Sequence, residues 1–284
     1  MANLKTLTLT NFTTHSGTFY SQFPLHYEYF GADYKTAPVV LVNHSLTGDS
    51  SVCGENGWWS EMVGPKLSID TCKYAIIAFN IPGNGVANSL YDNFEDFHTG
   101  DIAKLFFLGL DQLGINSLFA NIGGSIGGGI VWEMAALYPD LAQYIIPVAA
   151  DWKASDWIIA NTFLQRRILE NSSKPIEDAR IHAMLTYRTP HSLDFRFSRS
   201  LNQELNIYNV ESWLLHHGLK LANRFDLKAY RMMNHLLSSI NITRDNASFK
   251  KIVSKISASI HLISIDNDLF FTPHEDQKTY NKVK

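Results

Sequence analysis

The sequence has little cysteine, few charges and no long apolar run, and each shortage excludes something. Only Cys53 and Cys72 occur among 284 residues, which makes neither a disulfide framework nor a metal-ligand motif. Two reduced, buried thiols are the expectation. Charged residues are 18% of the chain and the net charge is −3, with both signs mixed throughout. The electrostatic footprint of a nucleic-acid or anionic-membrane partner is therefore missing. No stretch is long enough to span a bilayer, and Met1-Ala2-Asn3-Leu4-Lys5-Thr6 lacks the apolar run of a signal peptide. A cytoplasmic location is expected. What the chain does have is apolar material, 45% of its residues. That suffices for one substantial α/β domain with room for an inserted subdomain.

Strand and helix patterns alternate over the first 150 residues. Leu7 to Phe12 and Leu25 to Phe30 read as strands with mixed faces. Pro38 to Val42 and Tyr74 to Phe79 are continuous apolar runs, as in strands buried on both sides. Between Gly100 and Gly114, Ile102, Leu105, Phe106, Leu110 and Leu113 recur at helical spacing, with Gly114 past the helix end. Leu118 to Ile122 is a strand, Ile130 to Leu137 a helix that stops near Pro139, and Tyr144 to Ala149 another strand. This succession predicts a parallel sheet with right-handed crossovers. The rhythm then turns helical, from Trp152 to about Ile242, before Ile260 to Ile265 resumes a strand. A helical lid over residues 152–245 is expected, inserted into a core of residues 1–151 and 246–284. It would cover the carboxyl edge of the sheet, where ligands bind in open α/β folds.

The chemistry centres on Gly123-Gly124-Ser125-Ile126-Gly127. This G-x-S-x-G follows a predicted strand and opens a predicted helix, the context in which it presents a nucleophilic serine. The serine must sit on a strained, sharp turn, and only small neighbours avoid clashing with the flanking elements. The turn also aims the helix amino terminus and the Ile126 N–H at the space above the hydroxyl, where an oxyanion would develop. A plain glycine-rich turn, or one that cradles phosphate, is the rival reading. A second oxyanion donor is expected in Asn43-His44-Ser45-Leu46-Thr47-Gly48, where the Leu46 N–H is the candidate; His44 reads equally as a structural histidine.

A serine nucleophile of this kind needs an acid and a base later in the chain. Asp266 and Asp268 both follow the last predicted strand, and spacing alone does not separate them. Only His274 comes after them, and Gln277 to Lys284 reads as the start of a helix. The sequence is therefore expected to stop short of its catalytic histidine. His182, His191, His216, His217 and His235 lie in the lid, where ordinary structural or surface roles are expected.

Several segments, in order along nearly the whole chain, resemble the homoserine O-acetyltransferase family of the α/β-hydrolase superfamily. Asn43 to Asp49 is similar to its H-A-L-T-G-D segment. Gly57-Trp58-Trp59, Gly64-Pro65 and Ile69-Asp70-Thr71 resemble its G-W-W, G-P and I-D-T run. Gly123 to Gly128 resembles G-G-S-M-G-G, Leu185 to Arg188 resembles L-T-Y-R, and Ser264 to Phe271 resembles S-x-x-S-D-x-L-F. The resemblance implies an α/β-hydrolase fold, a mostly parallel central sheet flanked by helices with an inserted helical lid. It also implies Ser125 as nucleophile, Asp268 as triad acid, and Leu46 and Ile126 as oxyanion N–H groups. Gln165-Arg166 resembles the lid site whose arginine holds the substrate carboxylate.

The sequence departs from the family at Ser45, at Thr162, in the shortened Asn80 to Gly85 loop, and in lacking the closing G-H-D motif. The activity the resemblance implies is transfer of an acetyl group from acetyl-CoA, through acyl-Ser125, to the hydroxyl of L-homoserine in methionine biosynthesis. No bound cofactor or metal is expected, and the family implies a homodimer through the lid. A serine esterase or thioesterase using water is the first alternative, and a non-catalytic binding protein the second.

Overall fold

The computed structural model describes residues 4–245 and 247–283. The chain opens with an antiparallel hairpin, β1 (Lys5–Thr13) and β2 (Phe19–Gly31). Strands β3 (Val39–Asn43) and β4 (Ala75–Phe79) follow and are buried at every residue. Alternation divides their side chains between two cores. Leu41 and Ile77 join the larger core with Phe106 and Trp132, whereas Val40, Val42, Ile76 and Ala78 face a smaller one on the opposite side.

Helix α1 (Thr99–Gln112) buries Ile102, Leu105, Phe106 and Leu110 against the larger core, and Gly114 lies just past it with φ +74°. After β5 (Leu118–Gly124), helix α2 (Ile126–Leu137) starts four residues before the expected Ile130, because Gly127, Gly128 and Gly129 carry no apolar signal. Strand β6 (Ala142–Val148) then runs parallel to β5.

Five helices form the insertion: α3 (Asp156–Asn171), α4 (Pro175–Thr186), α5 (Pro190–Phe197), α6 (Asn209–Ala222) and α7 (Leu227–Ser239). All five fall within the helical stretch read from Trp152 to about Ile242. Helix α5 was not anticipated as a separate helix, since it buries no residue and so has no apolar stripe to detect. The insertion closes on its own entry: the Ala154 N–H donates to the Ile240 carbonyl and the Ile242 N–H to the Trp152 carbonyl. Buried Glu133 of α2 anchors this exit, accepting from the Arg244 guanidinium, the Thr99 hydroxyl and the Asn241 N–H.

The chain ends with α8 (Phe249–Val253), β7 (Ser259–Ile260) and α9 (Pro273–Val283). The strand expected over Ile260 to Ile265 is shorter. A two-residue ladder with β6 continues only as an isolated bridge between Val148 and Ile263. It lies at the sheet edge, which leaves Ile263 and Ile265 about half exposed. The sheet order is β1-β2-β4-β3-β5-β6-β7, parallel from β4 through β7, with β2 antiparallel to β4. From β3 the chain goes first to β4 on one side and later to β5 on the other. The carboxyl ends of β3 and β5 therefore flank a switch-point crevice.

Contrary to expectation, Cys72 is exposed and Cys53 half-buried; both are free. Cys72 lies in a tight surface turn, its N–H donating to the Asp70 carboxylate. Among the described residues no helix is long and apolar enough to cross a membrane.

Asp151, just after β6, is 4% exposed, and among the described residues neither carboxylate oxygen has a hydrogen-bond partner. Burial, reinforced by Asp276, Glu275 and Asp268, pushes its pKa up to about 7 from 3.8. The folded state then binds more protons than the unfolded chain between these two values. Stability falls as pH rises through that window and levels off above it. Asp151→Asn should raise the melting temperature by several degrees at pH 8, reflecting about 2–4 kcal/mol, and change little at pH 4. A gain of equal size at both pH values, in melting curves, would contradict this.

Candidate active site

Ser125 stands between β5 and α2 with φ 59° and ψ −125°, a conformation that costs on the order of 1–3 kcal/mol for a non-glycine residue. Its neighbours hold it there. The Ser125 N–H donates to the Val148 carbonyl, and the Ser125 carbonyl accepts from Gly129 N–H. A Cβ on Gly123 would lie 2.5 Å from the Gly127 carbonyl carbon, and one on Gly127 would lie 2.3 Å from the Asn43 oxygen. On Gly128 it would meet the Ala150 Cβ at 2.4 Å. The small residues of the motif are thus required by the backbone of β3 and the side chain after β6, not by the serine alone.

Asn43 pairs with Gly123 across the sheet, so the loop leaving β3 lies beside the serine turn. Leu46 lines the same cavity as Ser125, and its N–H makes no hydrogen bond among the described residues. Ile126 opens α2, so its N–H has no carbonyl one turn back within the helix. Leu46 and Ile126 therefore both lie beside Ser125.

His44 is a structural histidine. It is 1% exposed, its Nδ1 is 2.8 Å from the Ser45 carbonyl, and its Nε2 accepts from the Ile81 N–H at 2.9 Å. These partners specify the neutral Nδ1–H form, and burial lowers its pKa to about 4. The imidazole ties the β3 loop to Asn80–Gly85, the segment where the sequence departs from the family pattern. Asn80 accepts from the Ser50 N–H and from Asn84 Nδ2, and the Ser50 hydroxyl donates to buried Glu28.

The acid loop reaches the site from the far end of the sheet. Asp268 lines the cavity with Ser125, while Asp266 is exposed and does not. Oδ1 of Asp268 accepts from the N–H groups of Phe270 at 2.7 Å and Phe271 at 2.9 Å. Burial raises its pKa, and those two hydrogen bonds oppose the rise. Trp157 of α3 donates its indole N–H to the Leu269 carbonyl at 2.7 Å, fixing the loop to the insertion.

The cavity encloses about 410 Å³. Its lid wall is Arg180, Thr186 and Tyr187, with the Arg180 guanidinium 5.5 Å from the Tyr187 ring centre. Arg166 is elsewhere. It sits over Phe163 and lines a second cavity with Arg231 and Asn234. The structure brings Ser125, Leu46 and Asp268 to one cavity, with Ile126 beside them, and does not bring Arg166 there. Arg180 was missed, although it lies seven residues before Tyr187 and so on the same helical face. No histidine among the described residues lines the Ser125 cavity, and His274 is exposed in the first turn of α9.

A family profile described as the α/β hydrolase fold matches residues 38–233. Homoserine O-acetyltransferase of Symbiobacterium thermophilum is 30% identical, over 95% of this chain and 81% of that one. The chain belongs to this family. In three dimensions it is similar to homoserine O-acetyltransferase from Staphylococcus aureus, at a TM-score of 0.85 and 24% identity, covering 98% of this chain and 84% of that one. An acetylester hydrolase from Corynebacterium glutamicum superposes almost as well, at 0.83 and 19% identity, over 99% and 85% of the two chains. The G-W-W and I-D-T segments act as scaffold. Trp58 donates its indole N–H to the Asp49 carbonyl, and Asp70 accepts the N–H groups of Lys66 and Cys72.

Gly127→Ala should abolish activity and lower the melting temperature, because the backbone of Asn43 and His44 must shift. An unaltered melting curve with full activity would show that the β3 loop gives way freely.

Proposed function

We propose that the protein transfers an acetyl group from acetyl-CoA to the hydroxyl of L-homoserine through an ester on Ser125. The observation that supports this is the convergence of Ser125, Leu46, Asp268 and Arg180 at one cavity, with Ile126 next to Ser125 at the start of α2, in a chain of the homoserine O-acetyltransferase family.

In the first half-reaction the Ser125 Oγ attacks the thioester carbonyl carbon and its proton passes to a base. The developing oxyanion is stabilised by the Leu46 and Ile126 N–H groups and the amino end of α2. The carbon–sulfur bond breaks and CoA departs as its thiol. In the second, the homoserine hydroxyl attacks the acyl ester, loses its proton to the same base, and regenerates Ser125. The base this scheme requires would sit against Asp268, whose carboxylate would orient an imidazole there; among the described residues no histidine lines the cavity. Thioester cleavage of this type needs no metal.

Arg180 is the residue suited to the acceptor's carboxylate, since a guanidinium matches it with two parallel hydrogen bonds. Its ring contact with Tyr187 orients it. The insertion limits water at the acyl ester, which would otherwise be hydrolysed. The membrane plays no part in this reading, and cytoplasmic work on small soluble substrates suits it. A pair of copies joined through the insertion is part of the same proposal.

CoA release from acetyl-CoA, measured with and without L-homoserine, tests the reading. Release should depend on homoserine, and Arg180→Ala should raise the homoserine KM about ten- to hundredfold, in line with about 1.5–3 kcal/mol for a charged hydrogen-bonded contact. Arg166→Ala should leave that KM unchanged. Release to water, indifferent to homoserine, would make the protein a hydrolase on the family's scaffold. An effect of Arg166→Ala alone would return the acceptor to the other cavity.

A further inference from the structure

The lid wall of the Ser125 cavity continues outward as a run of cations. Arg180 begins it inside the cavity. Arg224 adjoins, donating from Nη1 to the carbonyl of Thr47, another wall residue, at 3.0 Å. Its pKa is lowered first by burial and then by Arg180, with Asp49 opposing. His217 comes next on α6. Burial lowers its pKa, and the neighbouring Arg180, Lys220 and Arg196 cations lower it further. Packing explains the convergence. Helix α6 crosses α4 at Gly218, where a Cβ would lie 2.9 Å from the Glu177 carbonyl oxygen. Trp213 then links α6 to α5, its ring 4.6 Å from His217 and 5.6 Å from the Arg196 guanidinium.

Asp49 acts on Arg224 from beyond ion-pair distance, and two other nearby carboxylates are engaged elsewhere. Glu177 pairs with Lys174, and Glu211 caps the Tyr208 N–H. Among the described residues, no carboxylate lies within ion-pair distance of Arg180, Arg196, Lys220 or Arg224. A chain of net charge −3 has thus gathered cations without ion-pair partners beside the Ser125 cavity. Like charges held together repel, and the arrangement is favourable when an anion joins them.

We infer that this run, from Arg224 to Arg196 and Lys220, is the subsite for the phosphate groups of the acyl donor, outside the Ser125 cavity. It rests on the proposed acyl transfer only in supposing that the donor is a phosphorylated thioester. The acyl end enters beside Arg180, and the phosphorylated end of the carrier lies across α5 and α6. Arg196 and Lys220 are exposed, so they meet phosphate without first giving up a partner. A bare acetyl thioester would reach Ser125 without touching them. The subsite therefore discriminates between donors of the same acyl group.

Titration calorimetry of the full chain with CoA and with pantetheine, which lacks the nucleotide and its phosphates, tests this. CoA should bind at least about tenfold tighter, and added salt should remove most of the difference, as for exposed charge pairs. Arg196→Gln combined with Lys220→Gln should erase it too, with an unchanged melting curve showing that the lid is intact. Equal affinities for CoA and pantetheine, or a preference that survives the double substitution, would overturn the subsite. Acylation of Ser125 by a short acetyl thioester, followed separately, reports on the proposed reaction. Its loss with CoA preference intact would count against the transfer and not against the subsite.

Discussion

A methyl group on Gly127 would lie 2.3 Å from the Asn43 carbonyl oxygen and 2.7 Å from that of His44. This approach of α2 to the end of β3 fixes the relation of Ser125 to the loop that carries Leu46. Because β3 and β5 are hydrogen-bonded neighbours, one loop supplies Leu46 and the other Ser125 without any long connection. Behind them the buried His44, Asn80 and Asn84 cluster replaces water with internal hydrogen bonds. Such a satisfied polar network specifies one arrangement of the loop, and a preorganised donor pair is what oxyanion stabilisation needs.

Much of this was legible in the sequence, for physical reasons that can be named. Strands buried on both faces read as unbroken apolar runs, so β3 and β4 could be located closely. Ser125 was legible because a strand, a tight turn and a helix occur around it together. What failed to show was structure without an apolar stripe or a side-chain signature. Helix α5 buries nothing, and the true start of α2 is hidden by glycines. The choice between Asp266 and Asp268 rested on resemblance, and only the latter lines the cavity with Ser125.

The two arginines show how far local likeness carries. Gln165-Arg166 matched a dipeptide, but a dipeptide does not say which helix face meets the cavity. In the fold Gln165 is the buried member, bonded to the Ala179 carbonyl and to His182, which turns Arg166 outward to Phe163 and the second cavity. The next helix supplies Arg180 instead, from the face that also carries Tyr187. The insertion thus joins the Ser125 cavity at α4 and presents its cations along α5 and α6, while α3 braces the loop that carries Asp268 through Trp157.

The proposed transfer requires Ser125 to carry the acyl group between donor and acceptor. Peptide mass spectrometry after mixing the protein with acetyl-CoA in the absence of acceptor tests that most directly. One acetyl group should appear on the peptide containing Ser125, and adding L-homoserine should discharge it with O-acetylhomoserine formed in equal amount. An acetyl group on a different residue, or O-acetylhomoserine made by the Ser125→Ala protein, would contradict it.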